Sequence, residues 1–257
     1  MIRTRQELKK EAKRCLLGNY GNVIAAMIIA YVIVMVISFA FQIVNGIMGG
    51  VLSIQENTRT LGYVVQFAGS IVMSLLLVLA EAVILPGILY MYMKIARRES
   101  TSLNDLTYGF HNRPWRYLGM MFLFWIVSVV IMIPGIIIII LGSLADSGAL
   151  VVLLGILVVA ATVFVSVWLM LAYAMSFIIM VDDSECGIFQ ALRESRLMMK
   201  GRKGALFVMY LSFIGVGILG SIAFIGQLWT VPYMTTTLCL FYMDCKESLE
   251  HETVYEN

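Results

Sequence analysis

Apolar residues in this chain occur in long unbroken blocks rather than in the short alternations of a soluble fold. Stretches without Asp, Glu, Lys or Arg run over 15–55, 60–80, 82–93, 117–145, 147–181 and 205–243. Blocks of that length predict membrane-spanning helices. They resolve into spans over about 22–44, 63–93, 117–141, 149–181, 205–225 and 227–243, joined by short loops. The last block holds 39 uncharged residues over 205–243. As one helix it would extend about 58 Å, nearly twice a hydrocarbon core of about 30 Å, so it must turn, and Gly226-Gln227 is the natural place. The expected fold class is an all-α polytopic membrane protein with six spans in one domain over 21–245. An amphipathic helix over 1–20 precedes it and an acidic tail over 246–257 follows.

Composition agrees: 61% of residues are hydrophobic and 13% charged, against about 45–50% and about 25% in soluble domains. The small net charge of +2 gives no reason to expect a nucleic-acid partner. Charge position says more. Lys and Arg number six before the first span, five between Lys94 and Arg116, five between Arg193 and Lys203 and one at Lys246, with Arg59 alone on the opposite side. Under the positive-inside rule this alternation places both termini in the cytoplasm. The approach to the first span is polar and amphipathic, and the span is long, so it reads as an uncleaved helix and not a signal peptide. Cys15, Cys186, Cys239 and Cys245 show no metal-type spacing and read as reduced structural thiols.

Three segments on the basic side are amphipathic. In the first, Thr4 and Glu7 stand in capping-box spacing, Leu8, Ala12, Cys15 and Leu16 share one face, and Arg5, Lys9 and Lys13 lie among the cations on the remainder. The second begins after Asp182, Asp183, Ser184 and Glu185 and carries Ile188, Phe189 and Leu192 beside Arg193, Arg196 and Lys200. The third follows Ser102 with Leu103, Leu106 and Phe110 on one side. Such helices either lie on an anionic lipid surface or pack on the chain's own span ends. KEAKRCLLGNYG at 10–21 and RESRLMMKGRKG at 193–204 align without gaps, and each enters a span. With the Ser102 segment they suggest three units, each an interfacial helix followed by an out-and-back pair.

At these residues the chain resembles the domain-of-unknown-function 975 family (DUF975) of bacterial integral membrane proteins. The resemblance rests on ELKKEAKRCLLGNYG, LNDLTYGF, ALRESRLMMKGRKGALFVMYLSFIG and LWTVPYMTTTLCLFY, in order along the chain. It implies a multi-pass protein of the bacterial cytoplasmic membrane and supplies no activity, catalytic residue or cofactor.

Candidate chemistry is sparse. Gly215, Gly217 and Gly220 satisfy the dinucleotide-binding glycine spacing but lie inside an apolar span without a preceding strand. With Ser221 they read as a small-residue face for helix packing. His111 and His251 lack neighbouring metal ligands. Pro86, Pro134 and Pro232 fall in spans, where proline kinks or ends a helix. Glu81 is the ionisable residue placed within a span, about 20 Å along a straight helix from Lys94. It should be protonated, paired or facing a wet cavity, and it reads either as a proton-linked or cargo-contacting group or as a packing carboxyl. These features favour a non-enzymatic scaffold or accessory membrane component, with a small transporter or lipid-handling protein as the alternative and a membrane-embedded enzyme third. Expected partners are membrane lipids, anionic ones above all, and a membrane protein or a second copy of the chain.

Overall fold

The computed structural model describes residues 3–53, 59–144, 149–222 and 226–255. Among them the fold is all-helical, with no strand: α1 Arg5–Leu16, α2 Tyr20–Ser53, α3 Arg59–Ala96, a 3-10 turn Leu103–Thr107, α4 Tyr108–His111, α5 Pro114–Leu144, α6 Ala149–Tyr173, α7 Ser176–Asp182, α8 Ile188–Met198, α9 Lys203–Ile222 and α10 Gln227–Tyr255.

The six expected segments are helical, in order, as α2, α3, α5, α6 with α7, α9 and α10. Four stretches are long and apolar enough to cross a membrane: Tyr20–Leu52, Thr60–Ala96, Pro114–Ile138 and Leu153–Asp182. A fifth is reached only if α8 and α9, bent by 90°, count as one broken span. The count of about six is therefore approximate. α10 continues unbroken to Tyr255, so the expected last span and the tail form one helix.

Burial divides the molecule into two zones. Large exposed apolar side chains line α2 from Ile28 to Val51, α3 from Leu61 to Leu79, α5 from Phe122 to Ile137 and α6 from Leu153 to Met170. The α3 belt measures about 28 Å at 1.5 Å per residue, close to a hydrocarbon core. Below it these helices enter a compact cap that buries Leu8 and Leu16 of α1, Tyr92, Met93 and Ile95 of α3, Tyr117 and Met120 of α5, Ile178 and Met180 of α7, Met198 of α8 and Tyr242 of α10. Apolar surface is thus buried at the cap end and left outward along the spans.

The repeat visible in the sequence is a repeat of packing. Leu8, Ala12, Cys15 and Leu16 of α1 are buried, and so are their aligned counterparts Ala191, Ser195, Met198 and Met199. The correspondence continues into the following helices, where buried Val23, Ala26 and Ala30 of α2 match buried Leu206, Met209 and Phe213 of α9. The aligned glycines Gly18 and Gly201 both turn the chain in the left-handed region, at φ 89° and 76°, which a residue without Cβ adopts freely. Arg113 takes φ 51° just before α5, a third turn of the same kind.

Each short segment packs on the last helix or helices of the unit before it: the 3-10 turn and α4 on α3, α8 on α7 and α6, and α1 on α10. The last contact closes the units into a ring.

Candidate functional site

Glu81 occupies the boundary between belt and cap. Leu79 is the last large exposed apolar residue of α3, and Ala82 is the first residue of its buried stretch. The cap reaches up to this level, because Gly109 sits against the main-chain carbonyl of Val83 and Gly87 against that of Leu106, so closely that a Cβ on either would overlap the oxygen. Counting along a straight helix puts Glu81 past mid-membrane. Two residues on from Glu81, at Val83, the segment that carries Gly109 already packs on α3.

Two neighbouring grooves meet at Glu81. The larger, ≈ 630 Å³, is walled by Leu75 and Val78 of α3, Phe122 and Trp125 of α5 and Phe177 of α7. The smaller, ≈ 260 Å³, lies toward Val34 of α2. Glu81 is exposed in them. Ser74, seven positions earlier on nearly the same face, shares the larger groove, but its hydroxyl donates to the Ile71 carbonyl at 2.7 Å. Pro86 lies inside α3, which continues through it.

A separate groove of ≈ 750 Å³ runs between α5 and α6 beside Tyr210 of α9. Its serine and threonine hydroxyls are turned back onto their own helices, Ser128 to the Phe124 carbonyl, Thr162 to that of Val158 and Ser166 to that of Thr162, each at 2.8 Å. Tyr173 and Tyr210 also line the space, and the rest of its wall is apolar.

Of the basic residues marked as lipid contacts, Arg5, Lys13, Arg193, Arg196 and Lys200 are exposed. Lys9 is half-buried instead, with Nζ donating to the Ser212 carbonyl at 3.2 Å and standing 4.2 Å from the centre of the Phe213 ring. Burial holds its ammonium below the usual lysine range. The apolar stripe of α1 is covered by α10 and α3, so the chain's own helices take the place that lipid could have had. On α8 the outward face mixes Phe189, 79% exposed, and Leu197 with Arg193 and Arg196, four residues that share one side at helical spacing. Exposed Lys200 follows in the turn after the helix.

The small-residue face is used in part. A Cβ on Gly220 would meet Thr230 Oγ1 and the Gly226 carbonyl, whereas at Gly215 and Gly217 it would meet no atom. The Ser221 side chain lies outside the described residues.

The polar centre of the cap is Asp182, whose side chain is 3% exposed. It pairs with Arg97 at the end of α3 and accepts from Lys246 Nζ at 2.6 Å and Tyr242 Oη at 2.8 Å, both on α10. Around it the carbonyls ending α7 are satisfied from other elements: Met180 accepts from Tyr117 Oη at 3.2 Å and Arg116 Nη2 at 3.1 Å, and Val181 accepts from Tyr108 Oη at 3.1 Å. Sequence reasoning read Asp182 only as a helix-start acid. Its neighbours along the chain gave no hint, because its partners come from helices far away in sequence.

Cysteine is poorly suited to nucleophilic work here. All four thiols are buried, and burial pushes Cys186 and Cys245 up to about 11, which leaves little thiolate near neutrality.

The family described as Protein of unknown function (DUF975) matches residues 1–248. The chain belongs to this family. The match covers all three units, from α1 into the last part of α10, so the ring described above is what the DUF975 family assignment spans. Comparison with characterised proteins and with solved structures finds no match.

Proposed function

We propose that this DUF975 protein is a non-enzymatic scaffold or accessory component of the bacterial cytoplasmic membrane, with both termini in the cytoplasm. The observation that supports this most is the cap: three short helices and the span ends are tied into one ring. Such a body holds helices at fixed positions under a membrane, and its exposed cations offer a surface for anionic lipid. Arg193, Arg196 and Lys200 interleaved with Phe189 and Leu197 suit that surface, as do Arg5 and Lys13 near exposed Leu17. The belts of α2, α3, α5 and α6 leave apolar faces for lipid, a membrane-protein partner or a second copy of the chain.

In this reading four helices cross fully and α9–α10 forms a shorter hairpin. By the repeat, Leu211 of α9 stands where Ile28 opens the belt of α2, and both are exposed. From Leu211 to the end of α9 at Ile222 is about 18 Å, well under a hydrocarbon core. The alternative, a small transporter or lipid-handling protein, draws on the grooves along α3 and α5. Crosslinking and co-purification from native membrane, set against flux in proteoliposomes, separates the two. A stoichiometric partner without flux supports the scaffold, and protein-dependent flux without a partner overturns it.

A further inference from the structure

Glu81 brings a carboxyl to the edge of the apolar belt, and no described residue gives it a hydrogen bond or an ion pair. Ser74, the nearest hydroxyl in the larger groove, is committed to the Ile71 carbonyl. No basic side chain lines either groove. An unpartnered acid beside hydrocarbon is costly unless something supplies a counter-charge or donor.

The walls say what kind of group. Phe122, Trp125 and Phe177 face the same space as Glu81, and aromatic faces attract cations as a carboxylate does, more strongly where water is thin. Much of the other lining, including Leu75, Val78 and Leu85, is aliphatic. A volume of ≈ 630 Å³ lies within the range of small-molecule sites, about 300–1,000 Å³.

We propose that the Glu81 groove binds a lipophilic organic cation, its charged centre at Glu81 and its apolar body along Phe122 and Trp125. Charge favours this ligand over a fully apolar one, because Glu81, the acidic residue of the groove, stands at the end of the exposed apolar stretch of α3. An inorganic cation would find one carboxylate and the Ser74 hydroxyl in an otherwise largely apolar wall. The inference concerns binding alone and goes beyond the scaffold reading, which can fail without it.

The test uses two ions of one shape and opposite charge, tetraphenylphosphonium and tetraphenylborate. The full chain in phosphatidylcholine nanodiscs is equilibrated with each, and retention is measured against empty discs. The expected result is protein-dependent retention of the phosphonium at least tenfold tighter than that of the borate. Glu81→Gln should remove that preference while the melting profile stays as in wild type, and Glu81→Asp should keep it. Equal retention of both ions by the wild-type chain, or an unchanged preference in Glu81→Gln, overturns the proposal. If Glu81→Gln does not fold, the wild-type comparison of the two ions decides alone.

Discussion

Arg3 and Asp244, 241 positions apart, meet in the cap: the main-chain N–H of Arg3 donates to Asp244 Oδ2 at 3.0 Å and its Nε to Oδ1 at 2.9 Å. This pair fastens the start of α1 to α10 and so closes the ring. The repeat gives it a counterpart in Lys94 and Asp105, whose Nζ and Oδ2 lie 3.0 Å apart and which fasten the turn before α4 to α3 in the same way. Acid and base have changed places between the two units.

Asp244→Ala is expected to destabilise the cap by about 1.5–3 kcal/mol, the range for hydrogen bonds to charged groups. Arg3 is partly exposed, which favours the lower part of that range. A double-mutant cycle with Arg3→Ala, read by thermal melting in detergent, should show clear coupling. Additive effects would mean that the two ends are held by packing instead.

Asp182 should matter more, because it is buried and answers to three side chains. Removing a buried partner typically costs about 3–5 kcal/mol. Asp182→Ala is predicted to lower the melting temperature further than Lys246→Ala, since Lys246 is half-exposed and Arg97 and Tyr242 would remain in place. Equal effects of the two variants would remove Asp182 from the centre of the cap.

Gly109 and Gly87 lock the loop before α5 onto α3 through close backbone approach. Alanine at Gly109 would place Cβ 2.2 Å from the Val83 carbonyl oxygen, and main chain cannot rotate away as a side chain can. Overpacking of this kind costs about 1–3 kcal/mol. Gly109→Ala should therefore melt early, while Gly215→Ala, which meets open space, should match wild type.

The shorter α9–α10 hairpin makes a topological prediction. In a cysteine-free background, Asn57→Cys and Asp146→Cys should react with an impermeant maleimide from outside the cell, and Gln227→Cys should not. Reporter fusions after Lys94, Arg202 and Lys246 should give cytoplasmic signals. Labelling of position 227 from outside would establish six full crossings.

Acid should loosen the contact between α1 and the end of α3. Glu11 pairs with Arg98, and the hydrogen bond from Arg98 holds its carboxyl below the ordinary value of 4.5. A carboxyl lowered in the folded state contributes stability in full above its unfolded value and loses it as pH falls through the folded one. The stability difference between wild type and Glu11→Gln should thus be constant near neutrality and vanish in strong acid. A difference that grows on acidification would contradict the pairing.

The sequence alone determined the solvent, the helical class, the order of the long helices and the repeat. Lipid demands long apolar blocks, and only helices satisfy a backbone within such blocks locally, so this information is written continuously along the chain. In α1 the sequence also foretold the buried face, whereas α8 buries Ala191, Ser195 and Met198 and leaves the expected Phe189 exposed. What that face touches was decided by the tertiary structure: Leu8, Ala12, Cys15 and Leu16 suit lipid and protein equally by composition, and only the placement of α10 and α3 covers them. The surroundings of Glu81 were decided in the same way. Residue counting cannot see that the end of α3 is wrapped by the 3-10 turn and α4, because belt and cap are equally apolar along that helix and differ only in what packs against them. The joining of Asp182 to Arg97, Tyr242 and Lys246 likewise had no local signature, since such a cluster exists only once helices distant in sequence converge.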